Sequence, residues 1–484
     1  MTSCRMTLCK NFLFACFLAL LSLLALTGCQ GLGASPTPTP TPTATPSPTP
    51  TLQTSVNHVI IMIQENRSFD SYLGHMTAFR QQSSPPIPIN SSDGKIRDLS
   101  DAVGFVNTSP AAGDIAPYRT GSVCTENLSP DWEEHHVQIN HANPAAASPT
   151  NADMKGFVPV AYGESQAFDQ QGIILDDQTG HRAMGFFDET QLNYYYFMAA
   201  NFAMSDNLHS PIPANTTPNR MYLHGATSQG FAHIPTRLLT SKTIWQELDE
   251  KGVSWKIYVT DFTRSFKTYL SFFTYINQAG VQAKIVPLSQ YFSDLQAGTL
   301  PSVSFIEAGY FSGQDEHTSN INPSTKTATP VNVQTGAAHV ASILTPLLIS
   351  SSWADSIFLF AFDEGGGAFD HVPPVAVPNP DGIPPQDLIA GKDVAGDFTM
   401  TGVRVPNMIV SPFAKKNFVS HTPMDYTAFL KLIETRFGLS PLTARDASMP
   451  DMTEFFDFTN GGPWAVPPVP PAQRRDGVCD FTLE

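Results

Sequence analysis

Two short apolar runs that each end in acid constrain this chain more than any other feature. The first, Val59-Ile60-Ile61-Met62-Ile63, is rich in β-branched residues and short enough for one strand buried on both faces. Within two residues its polarity reverses to Glu65, Asn66 and Arg67, and Asp70 follows. The second run, 356–362, leads straight into Asp363-Glu364-Gly365-Gly366-Gly367. Open α/β sheets bind their ligands at the carboxyl ends of their strands. Two buried strands delivering Glu-Asn and Asp-Glu there predict one oxygen-rich site for a hard cation. Taken singly, each has a plainer reading: a capping or turn pair after a strand, and an exposed glycine turn. Their joint occurrence favours the site.

The rest of the chain alternates. Residues 192–203, 242–252, 335–348 and 425–437 carry helical patterns, while 255–259, 303–306 and 405–410 read as strands. Residues 76–180, full of Ser, Pro, Asn and Ala, read as irregular and turn-rich. Alternation of this kind predicts an α/β fold, a three-layer sandwich with a mostly parallel central sheet and helices on both faces. An apolar content of 42% permits a substantial core. With no internal repeat and no second linker, 55–460 reads as one domain, and the Pro-rich 461–484 as an irregular tail.

Upstream, Arg5 and Lys10 precede an apolar run over 12–26, and Leu26-Thr27-Gly28-Cys29 follows. That is the layout of a secretory signal over 1–28, with a cleavage site resembling a bacterial lipobox. An uncleaved membrane anchor is the alternative. Residues 29–54 form a Pro/Thr-rich linker whose alternating prolines hold it near polyproline II, a stiff solvated spacer. The expectation is an exported protein, a cell-surface lipoprotein or extracellular, attached to membrane through a lipid on Cys29. Removing 1–28 takes away two positive charges from a chain already at -16. Such an acidic chain without a basic stripe argues against nucleic acid as a partner. Outside the signal and Cys29, the cysteines are Cys124 and Cys479. An oxidising compartment permits a disulfide between them, and two free thiols is the alternative.

A hydrolytic site also needs a nucleophile and proton donors. Thr216 and Thr217 lie in a stretch, 210–222, that Pro211, Pro213 and Pro218 constrain to a turn. A hydroxyl beside a divalent cation has its alkoxide stabilised and can attack phosphorus or sulfur. Histidines with acidic or aromatic neighbours are His135 and His136 after Trp132, His317 after Asp315-Glu316, and His371 after Asp370. No His/Cys cluster has the spacing of a structural zinc site. Asn66-Arg67-Ser68 is a glycosylation sequon by pattern, set aside because the lipobox points to a bacterial exporter.

Five blocks in order carry a resemblance: ENRSFDSYLG, the TTPNR stretch, LPSVSFIEAGY with DEH, FDEGGGAFDHVPP, and GVRVPNMIVSPFAKK with HTPMDYTAFLKLIETRFGL. From about residue 56 to 440 the chain resembles the bacterial phosphoesterase family of phospholipases C and acid phosphatases, itself similar to the alkaline phosphatase superfamily. The resemblance implies an alkaline-phosphatase-like sheet and one divalent metal ion (calcium, magnesium, manganese or iron) held by Glu65, Asn66, Thr216, Asp363 and Glu364. It implies Thr216 as nucleophile, His136 and His317 as phosphoryl or leaving-group contacts, and His371 as the histidine after the metal motif. The family's D-E-H-G-G stands here as Asp363-Glu364-Gly365-Gly366-Gly367, one histidine short. The expected reaction is hydrolysis of a phosphate ester through a phosphothreonine, acid-phosphatase-like, with Asn66 holding phosphoryl oxygens and His317 protonating the leaving group. A phospholipase C acting on a phosphodiester head group, a non-catalytic surface-binding relative, and a sulfatase are the alternatives. The last ranks lowest, because threonine is not a substrate for the modification that sulfatases need.

Overall fold

The computed structural model describes residues 49–322 and 324–483. The signal, Cys29 and most of the linker lie outside the described residues. Residues 49–484 form one compact unit, which starts earlier than the expected boundary at 55 because Leu52, in a short helical turn, is buried.

Eight strands make the central sheet: β1 (His58–Gln64), β2 (Ala203–Ser205), β3 (Trp255–Val259), β4 (Ile285–Pro287), β5 (Val303–Glu307), β6 (Ser356–Phe362), β7 (Asn407–Val410) and β8 (Phe418–Ser420). Their order is β8-β2-β7-β6-β1-β5-β3-β4. Neighbours from β6 to β4 are parallel; β7 alone runs against its neighbours β6 and β2. Successive side chains of a strand point to opposite faces. Every residue of β6, and every residue of β1 after His58, is buried, so both faces of the sheet are covered. This is the predicted α/β layering. The helices used below are α1 (Trp132–Ile139), α2 (Asn193–Asn201), α3 (Thr216–Gly225), α4 (Val333–Leu348) and α5 (Thr427–Phe437).

The register does the positioning. Gln64 on β1 lies opposite Phe362 on β6, so Glu65 and Asp363 leave the sheet side by side. On the other flank Ile63 lies opposite Glu307, the last residue of β5.

Two expectations fail, for one reason. Residues 76–180 are not irregular throughout; they contain helices Met76–Gln82, α1 and Phe157–Gln170. The stretch 210–222 is not a turn over its whole length, because α3 begins at Thr216 with Asn215 as its cap. Pro159 and Pro218 each fall in the first turn of their helix, where proline costs no intrahelical hydrogen bond. The strand expected from 405 begins at Asn407.

The tail from 467 to 480 has no helix or strand, yet it is fastened along its length. Gln473 donates to the Gln191 carbonyl at 2.7 Å, the Gly477 N–H to Gln334 at 2.8 Å, and the Val123 N–H to the Val478 carbonyl at 2.9 Å. Cys124 and Cys479 are joined in a disulfide.

Candidate active site

At the carboxyl end of β1 the chain turns sharply: Asn66 is in the left-handed region, with φ 61°. That turn aims its backbone N–H at Asp363 Oδ1, 2.9 Å away across the two strands. Gly366 comes so close beneath it that a Cβ there would lie 2.1 Å from the Asn66 carbonyl oxygen. The two loops are therefore fitted to each other.

The Thr216 hydroxyl reaches both tips of the first motif, 3.0 Å from Glu65 Oε2 and 3.2 Å from Asn66 Oδ1. Thr216 opens α3, where the first N–H groups of a helix lack intrahelical partners and the helix dipole favours an anion. Thr217 is buried instead, which separates the two candidate threonines in favour of Thr216. The Asn66 amide continues the chain of contacts, its Nδ2–H donating to His317 Nε2 at 3.0 Å. His317 Nδ1 lies 2.6 Å from the Thr318 carbonyl, so the proton sits on Nδ1 and Nε2 accepts. His317 thus faces the site as a base in this tautomer. Donation to a leaving group requires a second proton.

Arg220, one turn along α3, was not singled out in the sequence, and it organises the acids. Its Nη2 lies 2.7 Å from Glu65 Oε1, close but not aligned for a hydrogen bond, and its Nε donates to Asp363 Oδ2 at 3.1 Å. Glu307 lies 3.9 Å from Nη1. The guanidinium packs over the rings of Tyr269 and Tyr310, 5.1 and 5.2 Å from their centroids. Its position four residues after Thr216 puts both on neighbouring turns of one helix, which is the signal that could have found it.

Charge in this nest does not balance. Glu65, Asp363, Glu364 and Glu307 are all buried, and Arg220 is the cation among them. Burial pushes the carboxyls of Glu65 and Glu364 well above the usual range, and Asp363 pushes both the same way. Glu364 Oε2 accepts from the Gly366 N–H at 2.5 Å, while Oε1 is buried without a hydrogen-bond partner. Oxygen donors, surplus negative charge and a bare buried carboxylate oxygen fit a hard divalent cation held by Glu65, Asn66, Thr216, Asp363 and Glu364. A different trio, Asp70, Asp370 and His371, brings acid and imidazole ligand atoms within 4.8 Å of one another. There Arg404 bonds Asp70 at 2.9 Å and Asp370 at 3.0 Å, and neighbouring Asp70 raises the pKa of His371 against the effect of burial. Those charges already compensate one another, so the nest around Arg220 is the better cation site of the two.

The remaining expected residues lie elsewhere. Both ring nitrogens of His371 face carboxylates, Asp70 at 2.6 Å and Asp101 at 3.0 Å, and it bonds to none of the groups around Thr216. Through Asp70 it braces the loop after β6 against the helical turn Phe69–Leu73. His136 bonds to the Trp132 carbonyl at 2.7 Å, and burial lowers its pKa to about 4, leaving it neutral. It lines a cavity with Pro149, Gly396 and Met400, and on the site side of the same helix Asp131 accepts from Asn215 at 2.8 Å. At Gly365, where the family's histidine would stand, a Cβ would lie 2.3 Å from Val403 Cγ2.

Over residues 56–440 the sequence matches the profile of the Phosphoesterase family. The chain belongs to that family. Among the relatives of this phosphoesterase, non-specific phospholipase C4 of Arabidopsis thaliana is 28% identical over 393 residues, 76% of this chain and 64% of that protein. Phospholipase C B of Mycobacterium tuberculosis (strain ATCC 25618 / H37Rv) is 27% identical over 468 residues, 87% of this chain and 80% of that protein. The phosphoesterase chain thus spans just under two thirds of the first of these. Among solved structures, a protein in the alkaline phosphatase superfamily from Vibrio parahaemolyticus aligns at 13% identity and a TM-score of 0.30, covering 53% of this chain and 64% of that one.

Proposed function

We infer that this phosphoesterase hydrolyses phosphate esters by attack of the Thr216 hydroxyl on phosphorus, which breaks the ester P–O bond and expels the alcohol, leaving a phosphothreonine that water then cleaves to phosphate product and free Thr216. The observation that carries the reading is the Thr216 hydroxyl held between Glu65 and Asn66, at the head of a helix. Glu65 accepts the hydroxyl hydrogen in the resting state, which orients the oxygen lone pairs toward the open side of the turn. The amide of Asn66 is positioned by His317 to donate to a phosphoryl oxygen in place of the imidazole. Free N–H groups of the first turn of α3 receive the other oxygens. A divalent cation in the nest would neutralise charge on the phosphoryl group and on the nucleophile. Arg220 keeps Glu65 and Asp363 apart at a fixed separation, and Glu316 anchors the turn that carries His317. That anchor accepts from Tyr72 at 2.9 Å and from Gln64 at 3.1 Å, while Arg67 donates to its carbonyl at 2.9 Å.

The names of the relatives favour one finer reading over the acid-phosphatase one, cleavage of a phospholipid diester on its glycerol side. Rates on a chromogenic phosphomonoester, a choline phosphodiester and a micellar phospholipid, measured for the parent protein and for Thr216→Ala, test both levels. Equal rates for parent and variant on all three would exclude the nucleophile. A monoester preference would exclude the phospholipase. Lipid attachment at Cys29 and export belong to the same proposal and are tested by metabolic labelling with a fatty acid, comparing parent and Cys29→Ser.

A further inference from the structure

Parallel strands deliver their following loops to one edge of a sheet. The loops after β1 and β6 carry Glu65 and Asp363, so those after β3 and β5 share the same rim. The loop after β3 reaches the site through Tyr269 and that after β5 through Tyr310, both against Arg220. A third segment, 231–240, is laced to the β3 loop by Leu239, whose N–H donates to Phe272 and whose carbonyl accepts from Thr274, each at 2.8 Å.

These loops put large apolar side chains into solvent. Phe311 is 50% exposed, Ile234 60% and Leu238 42%. Interleaved with them are cations that lie on aromatic faces: Arg264 over Phe311 at 5.4 Å, Lys267 over Phe262 at 4.1 Å, and Arg237 over Phe231 at 5.0 Å. Among the described residues none of the three cations is in an ion pair. Asp261, three residues before Arg264, accepts instead from the Phe311 N–H at 2.8 Å, and Asp387 accepts from the Ala232 and His233 N–H groups at 2.8 and 3.1 Å. In a chain of net charge -16, a rim of unpaired cations among exposed aromatic and aliphatic groups runs against the general composition. Aromatic rings and apolar side chains interleaved with Lys and Arg are the chemistry of a bilayer interface, the rings at head-group depth and the cations on anionic lipid.

We propose that this rim docks on the surface of an anionic phospholipid membrane, seating the mouth of the site on its lipid. The inference rests on the phosphoesterase reading and deepens it, since it makes the substrate a lipid taken from an aggregate rather than a free ester. Docking is a surface property and does not require the chemistry to work.

The test uses the full chain carrying Phe311→Trp. Vesicles of phosphatidylcholine with phosphatidylserine, both brominated on their acyl chains, are added, and tryptophan emission is compared with that of the parent. The expected result is about twofold quenching of the added emission, weakened severalfold when Arg264→Glu and Lys267→Glu are combined with it, and weaker on phosphatidylcholine alone. A mere N-terminal tether leaves residue 311 in water and gives no such quenching. Quenching no greater than in the parent, or quenching indifferent to the charge reversals, overturns the proposal. Turnover of a soluble chromogenic ester by the same preparations separates the two readings. Turnover without quenching sinks the docking alone, and quenching without turnover sinks the hydrolase alone.

Discussion

Thr216 donates to Glu65 at 3.0 Å across 151 positions of sequence, and among the described residues no other hydroxyl bonds to the acidic tip of β1. Thr216→Ala should lower turnover of a phosphate ester by on the order of 10³-fold or more, with the melting temperature close to that of the parent. Thr217→Ala, at the buried neighbour, should keep the phosphoryl-transfer step and show its effect in stability. Stopped-flow turnover and thermal melts on both variants check the assignment.

Arg220 answers the charge of Glu65 and Asp363 from a fully buried position. Arg220→Gln leaves those carboxylates unpaired and should cost about 3–5 kcal/mol of stability, read as a lower urea midpoint. Arg220→Lys should not restore it, because a single ammonium cannot span both carboxylates and lie flat over Tyr269 and Tyr310.

A cation bound in the nest would stabilise the folded state by mass action, by about 2.7 kcal/mol at a free concentration 100 times its dissociation constant. Chelation should therefore lower both activity and melting temperature, and adding back calcium, magnesium, manganese or iron one at a time identifies the ion. Glu364→Gln should raise the concentration of metal needed for half-recovery. Identical behaviour of chelated and untreated protein would remove the metal from the site.

Glu316 is buried beneath the His317 turn, and burial raises its pKa to about 7 despite hydrogen bonds from Tyr195, Gln64 and Tyr72. Its folded value lies above the unfolded one of 4.5, so its protonated form favours folding at low pH. That contribution, on the order of 3 kcal/mol, is complete below about pH 4.5 and is lost as pH rises to about 7. Glu316→Gln should flatten the urea midpoint between pH 5 and pH 8 relative to the parent.

Cys479→Ala opens a loop closed across a sequence separation of 355 and should cost about 2–5 kcal/mol. Limited proteolysis should then cut first within 467–480, the stretch held by side chains and single backbone bonds. Unchanged protease resistance would show that the disulfide is not what holds the tail.

Much of this architecture could be read from the chain because parallel, fully buried strands write themselves as continuous apolar runs. That is why β1, β3, β5 and β6 are found within a residue or two of their true limits. The short strands β2, β4 and β8 have three residues each and leave no period to detect. Proline misled the reading at 159 and 218, since composition does not say whether it opens a helix or breaks one. At the site, Glu65, Asn66 and Asp363 could be read because each follows directly on a buried apolar strand, whereas Thr216, in a stretch read as a turn, and His317, in a loop, were singled out by the family resemblance. Arg220 and Glu316 were not, because their work is done by burial and pairing across 140 residues or more, which spacing along the chain does not record.

The left-handed turn at Asn66 and the glycine packed under it occupy one another's clearance. The two strand ends therefore behave as halves of a clasp: lengthening or re-sequencing one without the other jams it. Anyone transplanting this centre into a different scaffold would have to carry both strands with their register intact.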